Sequence, residues 1–455
     1  MLNLEMLPLL CLALLPVQES TAVPPAGESP LAGHWQGSLT FRGDELAVRL
    51  HLHLSGDAKS GMTATLDIPD LMMSWHPVPL TIEQGSPQVE FPFGIGTFPL
   101  HAQGKTIRTD KQIGDDTMAL VLHRDPAPRL SQEDVIFRHD GIHLAGRLVT
   151  PAGKGPFPAI TLVHGSGKLG RGSWSYASRA DFLARLGYAV LFYDKRGVGE
   201  SSPMDHDPNL SDLEQDVLAA LAFLKRRDDI DSRRLGLLGW SQGSWLSMKI
   251  AAQSDDISFV ILGSAAAVTP GQQEMQQVEF GMRDDGVNEA QIQDALAYLG
   301  LYFYVARTGE GWDLLRRAIQ RGQGSTWLTY VDQPQHVENL AWWGANHDFQ
   351  PRAFLPHIKI PVLALYGGAD WITPPSANAG VLEALVRSGG NHDVTVATFP
   401  RADHRIELPM GPDETGHWRW PRIAPAMLDT LADWLKDLDT GSDSRPLPDA
   451  ESPQE

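Results

Sequence analysis

The sequence predicts an α/β fold: a mostly parallel sheet with helices on both faces and a helical lid, preceded by a small antiparallel all-β domain. Three observations carry this. From Glu133 onward, short apolar runs alternate with stretches of helical period, the pattern of parallel strands joined by helical crossovers. About a hundred residues between Leu262 and Pro361 interrupt that alternation and show no strand pattern. Before residue 125 the apolar period is two.

In the N-terminal part, Leu46, Val48, Leu50, Leu52 and Leu54 alternate with Ala47, Arg49, His51 and His53, giving one buried and one wet face. Similar runs at Met62–Ile68, Val89–Phe93 and Met118–Leu122 are separated by Gly, Pro and Asp turns, as in a small barrel or sandwich. Asp125-Pro-Ala-Pro128 reads as its boundary. Beyond it, Val135–Phe137 and His143–Val149 read as a hairpin, and Ala159–Val163 and Ala189–Tyr193 as buried strands. Arg179–Leu186 fits a helix ending at Gly187. Ser211 and Glu214 suggest a capping box, followed by Leu213, Val217, Leu221 and Leu224 at helical spacing. Leu235–Leu238, Phe259–Leu262, Pro361–Tyr366 and Val394–Phe399 are further strands, and Ile423–Leu435 a closing helix. The expected organisation is a signal peptide at 1–22, a linker at 23–30 and a β-domain at 31–125. An α/β domain follows at 131–438, with a lid at about 267–358, and then a disordered tail at 440–455.

The 455-residue chain is too long for one ordinary domain. Its net charge of −19, with no dense Lys/Arg tract, argues against nucleic acid and anionic membrane surfaces as partners. The apolar run Met6–Val17 is too short to span a bilayer, and Ser20-Thr-Ala22 supplies small residues for cleavage, although no Lys or Arg precedes the run. The expectation is an exported protein, periplasmic or secreted, with no integral membrane segment in the mature chain. The one cysteine, Cys11, lies inside this run, so the mature chain has neither disulfides nor thiol chemistry.

The chemistry concentrates at Gly239-Trp-Ser-Gln-Gly243, directly after the apolar run Leu235–Leu238. A strand turning sharply into a helix at G-x-S-x-G presents its serine as a nucleophile, and the glycines remove bulk where the turn is tight. A serine nucleophile needs a histidine base oriented by a carboxylate. Asp370 follows the late strand Pro361–Tyr366, and His404 follows Val394–Phe399, so Ser241, Asp370 and His404 stand in the required chain order. His417 is a second choice for the base, and Asp403 for the acid, although Asp403 adjoins His404 in sequence. The backbone N–H groups of Gln242 and of Ser166, in the loop His164-Gly-Ser-Gly167, are the expected oxyanion donors.

Together, His164-Gly-Ser-Gly167, Asp194-Lys-Arg-Gly-Val-Gly-Glu-Ser201, the Ser241 turn, Gly367-Gly-Ala-Asp370 and Ala402-Asp-His404 resemble the α/β-hydrolase superfamily. They look closest to exported bacterial esterases related to its dienelactone hydrolase, monoglyceride lipase-like and serine aminopeptidase branches. The resemblance covers about Glu133 to Lys436. Gly33-His-Trp-Gln-Gly37 and Ala64–Pro69 are similar to the small β-domain that precedes the hydrolase in some exported esterases.

The resemblance implies a serine esterase, a carboxylic ester hydrolase acting on a small-molecule ester without cofactor or metal. A peptidase or aminopeptidase of the same fold is the alternative, and a non-catalytic lipid- or glycan-binding protein a second. Other features read plainly. His51 and His53 lie on a wet strand face, with no third metal ligand nearby. Asp205-His-Asp207 is a polar turn, Arg196 shapes a tight loop, and Tyr298, Tyr302, Phe303, Tyr304, Trp327, Trp342 and Trp343 mostly build the lid's own core.

Overall fold

The computed structural model describes residues 31–440, apart from 55–61, 84–85, 93–94, 126–129, 205, 414–415 and 417. The expected leader at 1–22 with Cys11, the linker at 23–30, the boundary residues 126–128, Asp205, His417 and the tail from 441 lie outside the described residues. Thr440, expected in the tail, is the last residue of the final helix Pro425–Thr440.

Eight strands form the central sheet, in the order Leu130–His139, Ile142–Pro151, Ala189–Tyr193, Phe157–Val163, Ile230–Trp240, Phe259–Gly263, Val362–Gly367 and Val394–Phe399. The first two are an antiparallel hairpin, Ile142–Pro151 also runs antiparallel to Ala189–Tyr193, and every later neighbour is parallel. Ala189–Tyr193, Phe259–Gly263 and Val362–Gly367 are buried at every position, as a sheet covered on both faces requires. One core joins the sheet to the helices Leu210–Lys225, Gln242–Gln253 and Pro375–Ser388 through Val217, Trp245 and Leu382. The other joins it to Trp174–Arg185 and Pro425–Thr440 through Leu183, Met427 and Leu431. Because these strands are parallel, the loops after Val163, Tyr193, Trp240, Gly263, Gly367 and Phe399 open on one edge of the sheet.

Boundaries moved outward wherever packing continues a weak local pattern. The first helix starts at Trp174 rather than near Arg179, and the strand before Ser241 starts at Ile230. The expected Ser211–Glu214 box is a correction: Asn209 caps Leu210–Lys225, and Asn209 and Asp212 exchange side chain-to-backbone bonds of 2.9 and 3.1 Å. Two overlapping polar-x-x-acidic patterns compete there, and Glu214 is instead taken by Lys249.

Between Gly263 and Val362 lie the helices Pro270–Asp284, Glu289–Thr308, Trp312–Gly322 and several short turns. They enclose their own core around Tyr298, Tyr302, Phe303, Trp327 and Leu340. Tyr304 is exposed, and Trp342 sides with the sheet core. This lid is pinned at its rim: Asn346 accepts from Leu210 N–H at 2.8 Å, and Asn378 accepts from Ala267 N–H at 2.9 Å.

The N-terminal region is a sandwich. A seven-stranded antiparallel sheet built around Gly33–Phe41, Asp44–Leu54 and Asp116–Asp125 packs Trp35, Leu50, Leu66 and Leu120 against Val89, Phe91 and Phe98 of a three-stranded sheet. Its other face docks on the helix Trp174–Arg185, where Ser74 meets Ser178 and Arg49 meets Asp181. This overturns the wet-face reading for His51. It is buried, bonded to Asp67 at 3.0 Å and to His34 at 2.6 Å, while His53 stays exposed.

Candidate functional site

The strand Ile230–Trp240 ends at Ser241, which adopts φ 52° and ψ −118° and begins the helix Gln242–Gln253. That backbone region is unfavourable for a residue with a Cβ, and the surroundings hold it there. Ser241 N–H donates to Gly263 O at 2.8 Å. A Cβ on Gly243 would lie 2.2 Å from Val163 O, and one on Gly239 2.4 Å from Ser247 Oγ, so helix and strand approach too closely for any side chain.

His404 is held next to this turn from two sides. Its carbonyl accepts Trp240 Nε1–H at 3.2 Å and Ser264 Oγ–H at 2.8 Å. Its Nδ1 lies 2.8 Å from Asp370 Oδ2. Asp370 is fixed in turn by Thr373, whose hydroxyl donates to Oδ2 at 2.6 Å, and by the N–H groups of Ile372 and Thr373 at Oδ1, both at 2.9 Å. Burial alone would raise the Asp370 pKa, but the adjoining His404 charge and these hydrogen bonds outweigh it and hold the carboxyl below its ordinary value. Asp403, the second choice for the acid, accepts the N–H groups of Arg405 and Glu407 instead. Thr373 is a site residue the sequence reading missed; the spacing D-x-x-T was its signal, a short polar residue able to reach back to the carboxylate.

The loop His164–Gly167 lies against the Ser241 turn: a Cβ on Gly165 would stand 3.6 Å from Ser241 Cβ. Gly165 N–H donates to the buried Tyr176 hydroxyl at 2.8 Å, and Ser166 is exposed. Gln242 is the first residue of its helix, where an amide has no intrahelical acceptor and the dipole is positive. His164 is buried between Tyr176 and Tyr193, and desolvation, then the Lys195 charge, lower its pKa to about 3. In the Asp194–Ser201 loop, Asp194 accepts the N–H groups of Arg171 and Glu200, and Arg196 pairs with buried Asp216 at 2.7 Å. The lid reaches the same rim, with Gln273 Nε2 donating to Ile372 O at 2.8 Å. Among the described residues, no group of three or more His, Cys, Asp or Glu could hold a metal ion. No helix among them is long and apolar enough to cross a membrane.

Sheet order, the serine turn and the loops gathered on one edge define an α/β-hydrolase fold. The family profile described as "Serine aminopeptidase, S33" matches residues 155–296. Esterase EstD of Thermotoga maritima is 24% identical over 308 residues, 64% of this chain, and the match spans just 65% of the esterase's own length. Serine hydrolase BPHL of Mus musculus is 29% identical over 272 residues, covering 59% of this chain and 79% of that one. The uncharacterized peptidase YuxL of Bacillus subtilis is 24% identical over 304 residues, 65% of this chain and 37% of its own. The chain thus has the α/β-hydrolase fold, and esterases, serine hydrolases and peptidase-like proteins are among the proteins it is similar to.

Proposed function

We propose that the chain is a serine esterase in which Ser241, His404 and Asp370 act as a triad. The observation that carries the reading is the fixed carboxylate–imidazole pair, Asp370 Oδ2 to His404 Nδ1 at 2.8 Å, on a loop anchored by Trp240, which precedes Ser241, and by Ser264. Asp370 fixes the tautomer so that Nε2 is the free base. His404 takes the Ser241 Oγ proton as Oγ bonds to the ester carbonyl carbon. The N–H groups of Gln242 and Ser166 receive the oxyanion. Collapse breaks the bond to the alcohol, which leaves with the proton from His404. Water, deprotonated by the same base, then releases the acid. Esters are favoured over amides because they are the easiest acyl compounds to cleave and the relatives include an esterase.

The peptidase reading is kept by the serine aminopeptidase profile over residues 155–296. The leader at 1–22 further supports action outside the cytoplasm, with a mature chain starting at Val23. The test is turnover of p-nitrophenyl esters from acetate to dodecanoate beside aminoacyl p-nitroanilides, with Ser241→Ala as control. Ester turnover that disappears in Ser241→Ala is the expected result. Anilide turnover without ester preference would favour the peptidase, and a serine that neither turns over nor takes a fluorophosphonate label would end the enzyme reading.

A further inference from the structure

Lys195 is the side chain the scheme above leaves without a task. It follows the strand Ala189–Tyr193, is 6% exposed, and no carboxylate touches its ammonium among the described residues. Its three protons go to three acceptors: Gly165 O at 3.0 Å, Gly167 O at 3.1 Å and Gln242 Oε1 at 3.3 Å. Two of these carbonyls bracket Ser166, and the third acceptor belongs to Gln242. The two amides assigned above to the oxyanion therefore sit on segments tied to one buried ammonium.

We propose that Lys195 is a positioning residue of the oxyanion hole, whose protonated side chain clamps the Gly165–Gly167 loop and Gln242 into the arrangement that receives the developing negative charge. The proposal rests on the triad reading above. Three acceptors arranged around one point match an ammonium and nothing neutral, since a deprotonated amine keeps only two protons for them. Held in a dry site, the same positive charge also favours the oxyanion over the neutral ester carbonyl.

The charge is only loosely supported. Desolvation lowers the Lys195 pKa to about 8, and the more distant carboxylates of Asp216 and Asp207 only partly oppose it. Asp216 is itself committed to Arg196 and His139. His164, the other titratable group facing the ammonium, stays neutral, with its pKa near about 3. The functional form is thus full well below pH 8 and lost as pH rises through that value, giving an alkaline limb that belongs to a lysine.

The experiment measures kcat and KM for p-nitrophenyl acetate from pH 6 to 10 in wild type, Lys195→Met, Lys195→Arg and Ser241→Ala, with thermal melts alongside. Wild type is expected to lose kcat above about pH 8. Lys195→Met is expected to lose kcat by about a hundredfold with KM little changed, as when one oxyanion donor is removed. Lys195→Arg keeps its charge throughout. It should retain part of kcat and lose the alkaline limb, a displacement that a purely structural lysine would not produce. A wild-type profile flat to pH 10 overturns the proposal. So does a Met variant within twofold of wild type, or an Arg variant with the limb unmoved. If Lys195→Met does not melt cooperatively, the wild-type and Arg profiles decide. Ser241→Ala with wild-type turnover would sink the triad reading and this proposal together. With Ser241→Ala inactive, negative Lys195 results sink this proposal alone.

Discussion

At the scale of single residues, the site is a chain of supports. His404 is oriented by Asp370, and Asp370 by Thr373 and two backbone amides. Asp370→Asn keeps the shape but presents an amide to Nδ1, so the wrong tautomer is favoured. A kcat loss of about 10⁴-fold is expected, measured on p-nitrophenyl acetate at pH 7. Thr373→Val removes one of four hydrogen bonds to the carboxylate and leaves the pair in place, and about a tenfold loss is expected. Because the Asp370 pKa is lowered, its charge contributes fully above the ordinary value of 3.8 and is lost only as pH falls through the lower folded-state value. Mild acidification therefore does not act through Asp370. The difference in urea stability between wild type and Asp370→Asn should not shrink between pH 7 and pH 5, because Asp370 keeps its charge throughout; a difference that shrinks by pH 5 would contradict that account. The places of Ser241, Asp370 and His404 just after strands were legible in the sequence, because each of those strands has an unmistakable apolar run. Thr373 and Lys195 were not, since a hydroxyl three residues on, or a lysine in a polar loop, has no role until the fold shows what it faces.

At the scale of elements, the turn at Ser241 is where sequence and geometry agree most closely. Gly243 lets the helix lie on Val163 and His164; a methyl there would meet Val163 O at 2.2 Å and His164 O at 2.8 Å, both rigid backbone. Gly243→Ala should therefore cost about 3 kcal/mol or more, above the usual range for an exposed helix position, where alanine would stabilise instead. Urea unfolding, with Gly300→Ala in the lid helix as the comparison, measures this; no atom approaches a Cβ at Gly300. The misread elements have separate causes. A two-residue period tells which strand residues face together but not what covers them, so His51 looked wet although the helix Trp174–Arg185 docks on its face. The cap at Asn209 was missed because Ser211 and Glu214 fit the same local rule two residues later.

At the scale of the whole molecule, the β-sandwich is tied to the segment that carries His404. After His404 two short antiparallel pairings follow, Glu407 with Ile423 and Gly411 with Arg419. The returning limb rests on the sandwich, where Trp420 joins the sandwich core and Trp418 packs edge-on to Phe41. Asp44, 2% exposed, accepts Trp420 N–H at 2.9 Å and pairs with Arg419 at 3.1 Å and with Arg422. Such a contact, spanning 375 residues, leaves no trace in a local pattern. Its chemistry makes it a clamp: one buried carboxylate satisfies a backbone amide and two guanidinium groups at once. Asp44→Ala leaves that amide without its acceptor and takes the carboxylate from Arg422, while Arg419 keeps Asp413 at 2.8 Å, at a cost of about 1–3 kcal/mol. The loss should be local, because the sheet cores do not depend on Asp44. Limited trypsin digestion is expected to open new cleavage between Arg405 and Arg422 while the eight-stranded domain stays intact, and kcat should fall several-fold as His404 loses its fixed loop. A digestion pattern identical to wild type would mean that this segment holds itself, and that the sandwich supports the site only through the helix Trp174–Arg185.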